Sequence, residues 1–283
     1  MLYIVRQSGL PMSAFNTKAL ILATLTSLMT LSSYADQNGP LNENSAESIV
    51  AHCDNKYPGE NQTTQLSVTV KNRLGSEQKA VYKRFWQKTE DEQEQMTLFT
   101  ITPLDAKNTA FMQYTYPASL GKDTEQWIYL PNLRKLKRIT IRDLSDSFLG
   151  SDLTHDDIRL RLPEDDTHKL VRVKDGEKVK HFLIESVPKE KESMYSKKVA
   201  HYVLEKASGQ CLKLNIAYYD KKGSPLKKQK ITWQKVKNAW LWERVEVVNA
   251  QTFSSSLFEV KAPEVNEGVD DNWFTVRALK KGL

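Results

Sequence analysis

The sequence predicts a mainly β protein with a few short helices, its strands forming one curled antiparallel sheet. Three observations carry this. From about residue 64 onward the apolar residues recur with a period of two, in short segments rich in β-branched and aromatic side chains. Gly, Pro, Asn or charged turns separate those segments at hairpin spacing. Helical periodicity is confined to short stretches, and roughly a dozen strands with so little helix to cover them must curl to bury one face.

Taken in order, residues 1–35 hold Arg6 and Lys18 and no acid. Lys18 precedes an apolar run from Ala19 to Leu31, and Ser33-Tyr34-Ala35 sets small residues where a signal peptidase reads them. The segment is expected to be a secretory signal cut after Ala35, with Met12 an alternative start to Met1. An uncleaved anchor is the other reading, disfavoured because the run is short and interrupted by Thr and Ser. Residues 36–45 (DQNGPLNENS) read as a polar, flexible leader. Asn44 or Ser45 then caps a short helix with Ala46, Ile49, Val50 and Cys53 on one stripe, before Pro58-Gly59.

Six strands follow, TQLSVTVKN, QKAVYKRFWQK, QMTLFTITP, NTAFMQYTYP, TEQWIYLP and RKLKRITI. The alternation breaks over residues 143–160, where Ser and Asp caps and a Gly predict helical turns. Seven more strands run from HKLVRVKDG to TFSSSLFEV, and the connectors VKDGEK, EKASGQ and DKKGSP each supply a Gly for a positive φ. The closing DDNWFTVRALKKG reads as a short helix with Trp273 and Phe274 facing inward. Residues 46–283 are read as a single domain. Division near residue 160 is the weaker alternative, since a solvated linker would not need Phe148, Leu149, Leu153 and Ile158.

Composition bounds the function. The 283 residues are 40% apolar and 27% charged, which excludes disordered, collagen-like and disulfide-stapled classes. Without residues 1–35 the chain keeps 39 basic against 35 acidic residues, a net of +4 that is too mild for a nucleic-acid binder. Cys53 and Cys211 are the two cysteines, and an exported compartment permits a bridge between them without requiring it. The five histidines show no ligand spacing, so no metal and no cofactor is expected.

No nucleophile elbow, phosphate loop or dinucleotide fingerprint is present, so the chain is not expected to be an enzyme. Ser147, Ser151, Asp152, His155, Asp156 and Asp157 are close enough in sequence to suggest a hydrolytic cluster. Capping is the preferred account, with Ser147 and Asp152 at helix starts and His155 to Asp157 in an exposed first turn. Arg134, Lys135, Lys137, Arg138 and Arg142 concentrate positive charge, either as a docking surface for an anionic headgroup or acidic partner, or as a solvated sheet face. Aromatic residues crowd the predicted strands, and Leu212, Leu214, Ile216 and Tyr218 alternate with polar neighbours, marking one buried face. That face is either filled by its own side chains or left partly open as a ligand cavity.

WIYLPNLRKLKRI followed by DSFLGSDLTHDDI resembles the signature of the LolA-like outer membrane lipoprotein-sorting protein family, in which a W-x-Y-x-P strand leads to a basic strand and an F-x-G-S-D-x-x-x-x-D turn. The matching residues are Trp127, Tyr129, Pro131, Arg134, Arg138, Phe148, Gly150, Ser151, Asp152 and Asp157, with Leu149 and Ile158 as conservative departures. The likeness continues through YDKKGSPLKK, the strand from Trp240 to Val248 and WFTVRAL.

The resemblance implies an open half-barrel of antiparallel strands around short helices, with a hydrophobic cavity. It also implies a monomeric periplasmic carrier that takes a lipid or lipoprotein acyl chain toward the outer membrane, with a resistance-nodulation-division-type transporter as partner. A related branch implies the alternative of an envelope-stress regulatory module without transport. The expected cavity residues are Trp86, Phe99, Phe111, Trp127, Tyr129, Phe148, Leu149, Tyr202, Leu212, Leu214 and Trp233. Residues 143–160 are either a lid pivoting at Gly150 or a fixed plug.

Overall fold

The computed structural model describes residues 41–283, and there the period-two alternation becomes thirteen strands of one sheet. The expected signal at residues 1–35 lies outside the described residues, as do residues 36–40 of the leader. Leu41 packs on an apolar cluster, and the Asn42 N–H donates to Ser48 Oγ at 2.9 Å. Ser45 caps helix α1 (Ala46–Asp54), its side chain accepting from the Ser48 N–H, and Ala46, Ile49, Val50 and Cys53 are its buried stripe.

The strands are β1 (Asn61–Lys71), β2 (Glu77–Lys88), β3 (Glu94–Thr102), β4 (Ala110–Thr115), β5 (Glu125–Leu130), β6 (Lys135–Ile139), β7 (Asp166–Asp175), β8 (Val179–Pro188), β9 (Tyr195–Glu205), β10 (Cys211–Asp220), β11 (Pro225–Val236), β12 (Ala239–Asn249) and β13 (Ser255–Val265). Each pairs antiparallel with its neighbour in the chain, except that β1 also pairs β13 and β6 does not meet β7. The sheet is therefore an open half-barrel with β6 and β7 as its edges. The chain between those edges, residues 140–165, passes across the inner face as single turns rather than strands.

Alternation decides which side chains reach that face. One inner cluster gathers Leu66, Val68, Tyr82, Leu98, Phe111, Ile231, Val245, Val247 and Phe258 from seven strands around Phe148 and Leu153 of the crossing segment. A second packs the α1 stripe on Phe182, Ile184, Ala200, Tyr202, Leu204 and Cys211, and Ile216 touches both clusters. The outer face has its own cover. The 3-10 turn Asp271–Phe274 and helix α2 (Val276–Lys281) lie over Phe85, Phe99, Ala110, Met112 and Tyr129, with Trp273 stacked on Phe85 at 4.7 Å.

Of the three hairpin glycines, Gly209 and Gly223 take a positive φ, 70° and 80°. Gly176 does not. A Cβ there would stand 2.9 Å from the Val179 carbonyl oxygen, so glycine supplies room rather than handedness.

Cys53 and Cys211 are joined, with Cα atoms 4.8 Å apart, tying α1 to β10 across 158 residues of chain. Closing so long a loop restricts the unfolded ensemble by up to about 5 kcal/mol in the chain-entropy account. Reduction, or the Cys53→Ala/Cys211→Ala variant, is expected to lower unfolding stability by several kcal/mol, measured by denaturant titration. An unchanged midpoint would show that packing alone holds α1.

Candidate functional site

The crossing segment does not fill the inner face. Between it and strands β1, β2, β3, β4, β11, β12 and β13 lies a cavity of about 420 Å³, within the ordinary range of roughly 300–1,000 Å³ for small-ligand sites. Its apolar wall includes Leu66, Trp86, Met96, Leu98, Phe148, Ile158, Trp233, Trp240, Trp242, Phe258 and Val260. A register shift between Thr232 and Trp233 lets Trp233 pair across from Trp242, so both indoles line the same space. Trp233 is held by a hydrogen bond from Nε1 to the Lys213 carbonyl at 2.8 Å.

Polar side chains interrupt this wall, Arg84 and Glu94 among them. Arg84 donates from Nη1 to Gln62 Oε1 at 2.6 Å and from Nε to the Met96 sulfur at 3.3 Å. Trp86 Nε1 donates to Glu94 Oε2 at 3.3 Å. Burial lowers the Arg84 pKa to about 10 and raises that of Glu94 above the usual carboxylate range. Arg84 is therefore still cationic at neutral pH.

The crossing segment is pinned by charge. Lys227 of β11 and Asp157 form an ion pair 2.5 Å long, with side chains 2% and 1% exposed. Asp157 also accepts from Tyr195 Oη at 2.8 Å and from the Thr154 N–H at 2.8 Å. Lys227 donates a second bond to the Asp152 carbonyl at 2.8 Å. The Asp152 carboxylate accepts from Ser254 at 2.5 Å and Ser256 at 2.6 Å, both on or beside β13. These contacts anchor the segment on two strands, and in this arrangement it sits as a plug on the inner face. Leu149, not only Gly150, takes a left-handed conformation, φ 54°.

The capping account is corrected by the same contacts. Ser147 donates to the Ser151 carbonyl instead of capping a helix, and Asp152 binds hydroxyls of the sheet. His155 and Asp156 are buried rather than exposed. His155 Nδ1 meets Gln126 Oε1 at 3.0 Å, and the imidazole packs against the rings of both Phe111 and Phe148.

The expected cavity residues separate into groups. Trp86, Phe148 and Trp233 line the cavity, while Phe111 and Leu149 pack in the adjoining cluster. Phe99, Trp127 and Tyr129 belong to the outer face, under α2, because their strand positions have the opposite parity. Tyr202 lies beneath α1. The alternation from Leu212 to Tyr218 is broken by a bulge between Lys213 and Asn215. Leu212, paired with Val203, thus points away from the face that Ile216 shares with Ala200. Leu214 is the bulged residue. Sequence reasoning missed Arg84, Met96, Trp240, Trp242 and Val260 as cavity lining; for Arg84, Met96 and Val260 the signal is parity with Leu66 and Leu98 once the sheet order is known, whereas Trp240 and Trp242 reach the cavity only through the register shift opposite Trp233.

The basic residues do not make one patch. Lys137 pairs with Asp143 at 2.6 Å and Arg138 with Glu125 at 2.5 Å, and alternation along β6 sends these neighbours to opposite faces. Arg138 and Arg142 border a wider groove of about 1010 Å³ along the β6 edge. Thr115, Arg159 and Leu160 line both groove and cavity, so the two spaces adjoin there. Among the described residues, no cluster of three or more His, Cys, Asp or Glu side chains is placed to share a metal ion.

A family model described as "Uncharacterized protein" matches residues 92–281. Solved structures similar to this chain include a domain from Vibrio parahaemolyticus assigned to outer membrane lipoprotein sorting, 23% identical, TM-score 0.72, covering 83% of this chain and 98% of that one. A DUF1329 family protein from Desulfovibrio piger is 22% identical, TM-score 0.72, covering 83% and 97%. A LolA superfamily protein from Nitrosomonas europaea is 14% identical, TM-score 0.60, covering 82% and 98%. Comparison with curated protein sequences gave no match.

Two outcomes follow from the pinned segment. Lys227→Met leaves the Asp157 carboxylate buried without its counter-ion and is expected to cost about 3–5 kcal/mol of stability. Adding Asp157→Leu should restore part of that, and a single variant as stable as the parent would refute the anchoring role. Burial holds the His155 pKa below its ordinary value, so the unfolded chain binds the extra proton. The stability this supplies is complete above the unfolded pKa of about 6.5 and is lost as pH falls below it. Tm measured between about pH 7 and pH 5 should fall less steeply for His155→Gln than for the parent.

Proposed function

The chain belongs to the family matched over residues 92–281 and is folded as a LolA-like outer membrane lipoprotein-sorting protein, and from that premise we propose that it is a non-enzymatic periplasmic carrier of a lipid or lipoprotein acyl chain. The observation that carries this is the cavity, left open on an inner face that the crossing segment and α1 otherwise fill. A regulatory module without transport would be served by a filled interior, so the open space favours the carrier.

The mechanism is transfer of apolar surface out of water. An acyl chain releases about 0.8 kcal/mol for each buried methylene, so ten methylenes contribute roughly 8 kcal/mol before ordering costs. Binding needs no covalent chemistry, and release follows when an acceptor binds the chain better. With the plug pinned by Lys227 and Asp157, the route in and out runs past Thr115, Arg159 and Leu160 into the groove at the β6 edge. Leu160 is 46% exposed and presents an apolar threshold there.

An exported location is supported by the Cys53–Cys211 bridge and by the apolar run after Lys18. Among the described residues no helix is long and apolar enough to cross a membrane. A membrane protein is the expected donor or acceptor, and the resistance-nodulation-division-type transporter rests on the family resemblance alone.

Mass spectrometry of an organic extract of the natively purified protein should yield a stoichiometric acyl lipid. Val260→Trp, which fills the cavity from β13, should reduce that lipid severalfold while leaving Tm within a few degrees. A parent protein that carries no lipid and binds none from vesicles would defeat the carrier reading.

A further inference from the structure

Two guanidiniums border the cavity, and they differ in what holds them. Arg159 is taken up by Asp156 and Glu190. Arg84 has no carboxylate within ion-pairing distance among the described residues; its contacts are the Gln62 amide oxygen and the Met96 sulfur. A guanidinium carries five N–H donors in a planar fork, so Nη2 is left without a protein partner beside the open space. Glu94, on the same cavity wall, is the acid whose field reaches Arg84, but it lies beyond ion-pairing distance and its Oε2 accepts from Trp86 Nε1. Leaving a cation half-buried and unpaired against Leu66, Trp86 and Leu98 costs free energy. An arriving anion would offset that cost.

The size of the cavity limits the occupant. At about 420 Å³ the cavity is the size of an ordinary small-ligand site, suited to a single acyl tail. A tail-less anion is a poor fit, because a single cation would have to compensate a fully desolvated charge among tryptophans. An amphiphile fits better, since its tail covers the apolar wall while its head meets the fork.

We propose that Arg84 is the head-group anchor of this cavity, binding the carboxylate or phosphate of a single-chain anionic amphiphile whose tail lies along Trp233, Trp242, Phe258 and Val260. The inference rests on the carrier reading and adds to it the charge and chain number of the ligand. The fork grips two oxygens in the manner of an arginine–carboxylate pair, and the tail runs toward the β11–β13 side of the pocket.

Trp86, Trp233, Trp240 and Trp242 line the cavity, so intrinsic fluorescence reports occupancy. The protein is titrated with dodecanoic acid, dodecyl phosphate and dodecanol, which share one tail length, and with inorganic phosphate as a tail-less competitor. The acid and the phosphate ester should bind about tenfold or more tightly than the alcohol, and inorganic phosphate should not displace them. Arg84→Gln should bring both anions down to the affinity of the alcohol, and Arg84→Lys should keep part of the preference. Equal binding of acid and alcohol by the parent protein, which needs no variant to fold, overturns the anchor while leaving the carrier intact. Displacement by inorganic phosphate at similar concentration overturns it in favour of a free-anion site. Failure of all three amphiphiles to bind overturns the anchor, while the carrier is decided by the lipid extract and the vesicle experiment.

Discussion

Lys227 and Asp157 meet out of water between β11 and the chain that crosses the half-barrel, and the arrangement of the inner face follows from that contact. A buried pair of this kind returns little net stability, because desolvating two ions costs nearly what their attraction supplies. Its effect is positional. Asp157 has its remaining oxygens taken by Tyr195 and Thr154, and Lys227 reaches back to the Asp152 carbonyl, so a displaced segment would leave several buried groups unpaired at once. One register of the crossing segment is thereby much better than any other. Phe148 and Leu153 enter the core from that register.

The sheet order explains why such an anchor is required. Two meanders meet at β1 and β13, and the connection between their far edges has no strand partner to satisfy its backbone. Residues 140–165 solve this with short turns and side-chain acceptors: Asp143 takes the Thr140 N–H at 2.8 Å, Asp157 takes that of Thr154, and Asp165 takes that of Leu162 at 2.8 Å. Acidic residues that look like a hydrolytic cluster in one dimension are thus the hydrogen-bond acceptors of an irregular segment. The cavity survives beside it because the crossing chain covers the centre of the inner face and leaves the part bounded by Trp86, Trp233 and Trp242 open.

What could be read from the chain alone was local. The stripe of α1 and its Ser45 cap depend on residues three and four apart, and each strand on its own alternation, so these were legible. Where alternation slipped, the reading slipped with it. The bulge after Lys213 turns Leu212 away from Ile216, and nothing in QCLKLNIAYYD announces the extra residue. Phe99, Trp127 and Tyr129 read as cavity residues in the sequence, because large aromatics in strands imply a buried face. The outer face is buried as well, by a helix more than a hundred residues further along the chain.

The sequence by itself determined the elements and the existence of two faces, since hydrophobic period and turn residues act over a few positions and need no knowledge of neighbours. The tertiary structure alone decided which face each strand turns inward, that Cys53 and Cys211 meet, and that Arg84 stands without a counter-ion beside Trp86 and Met96. Those outcomes depend on strand order and on contacts between residues far apart in the chain. Periodicity carries no information about either, because it repeats identically whichever partner a strand finds.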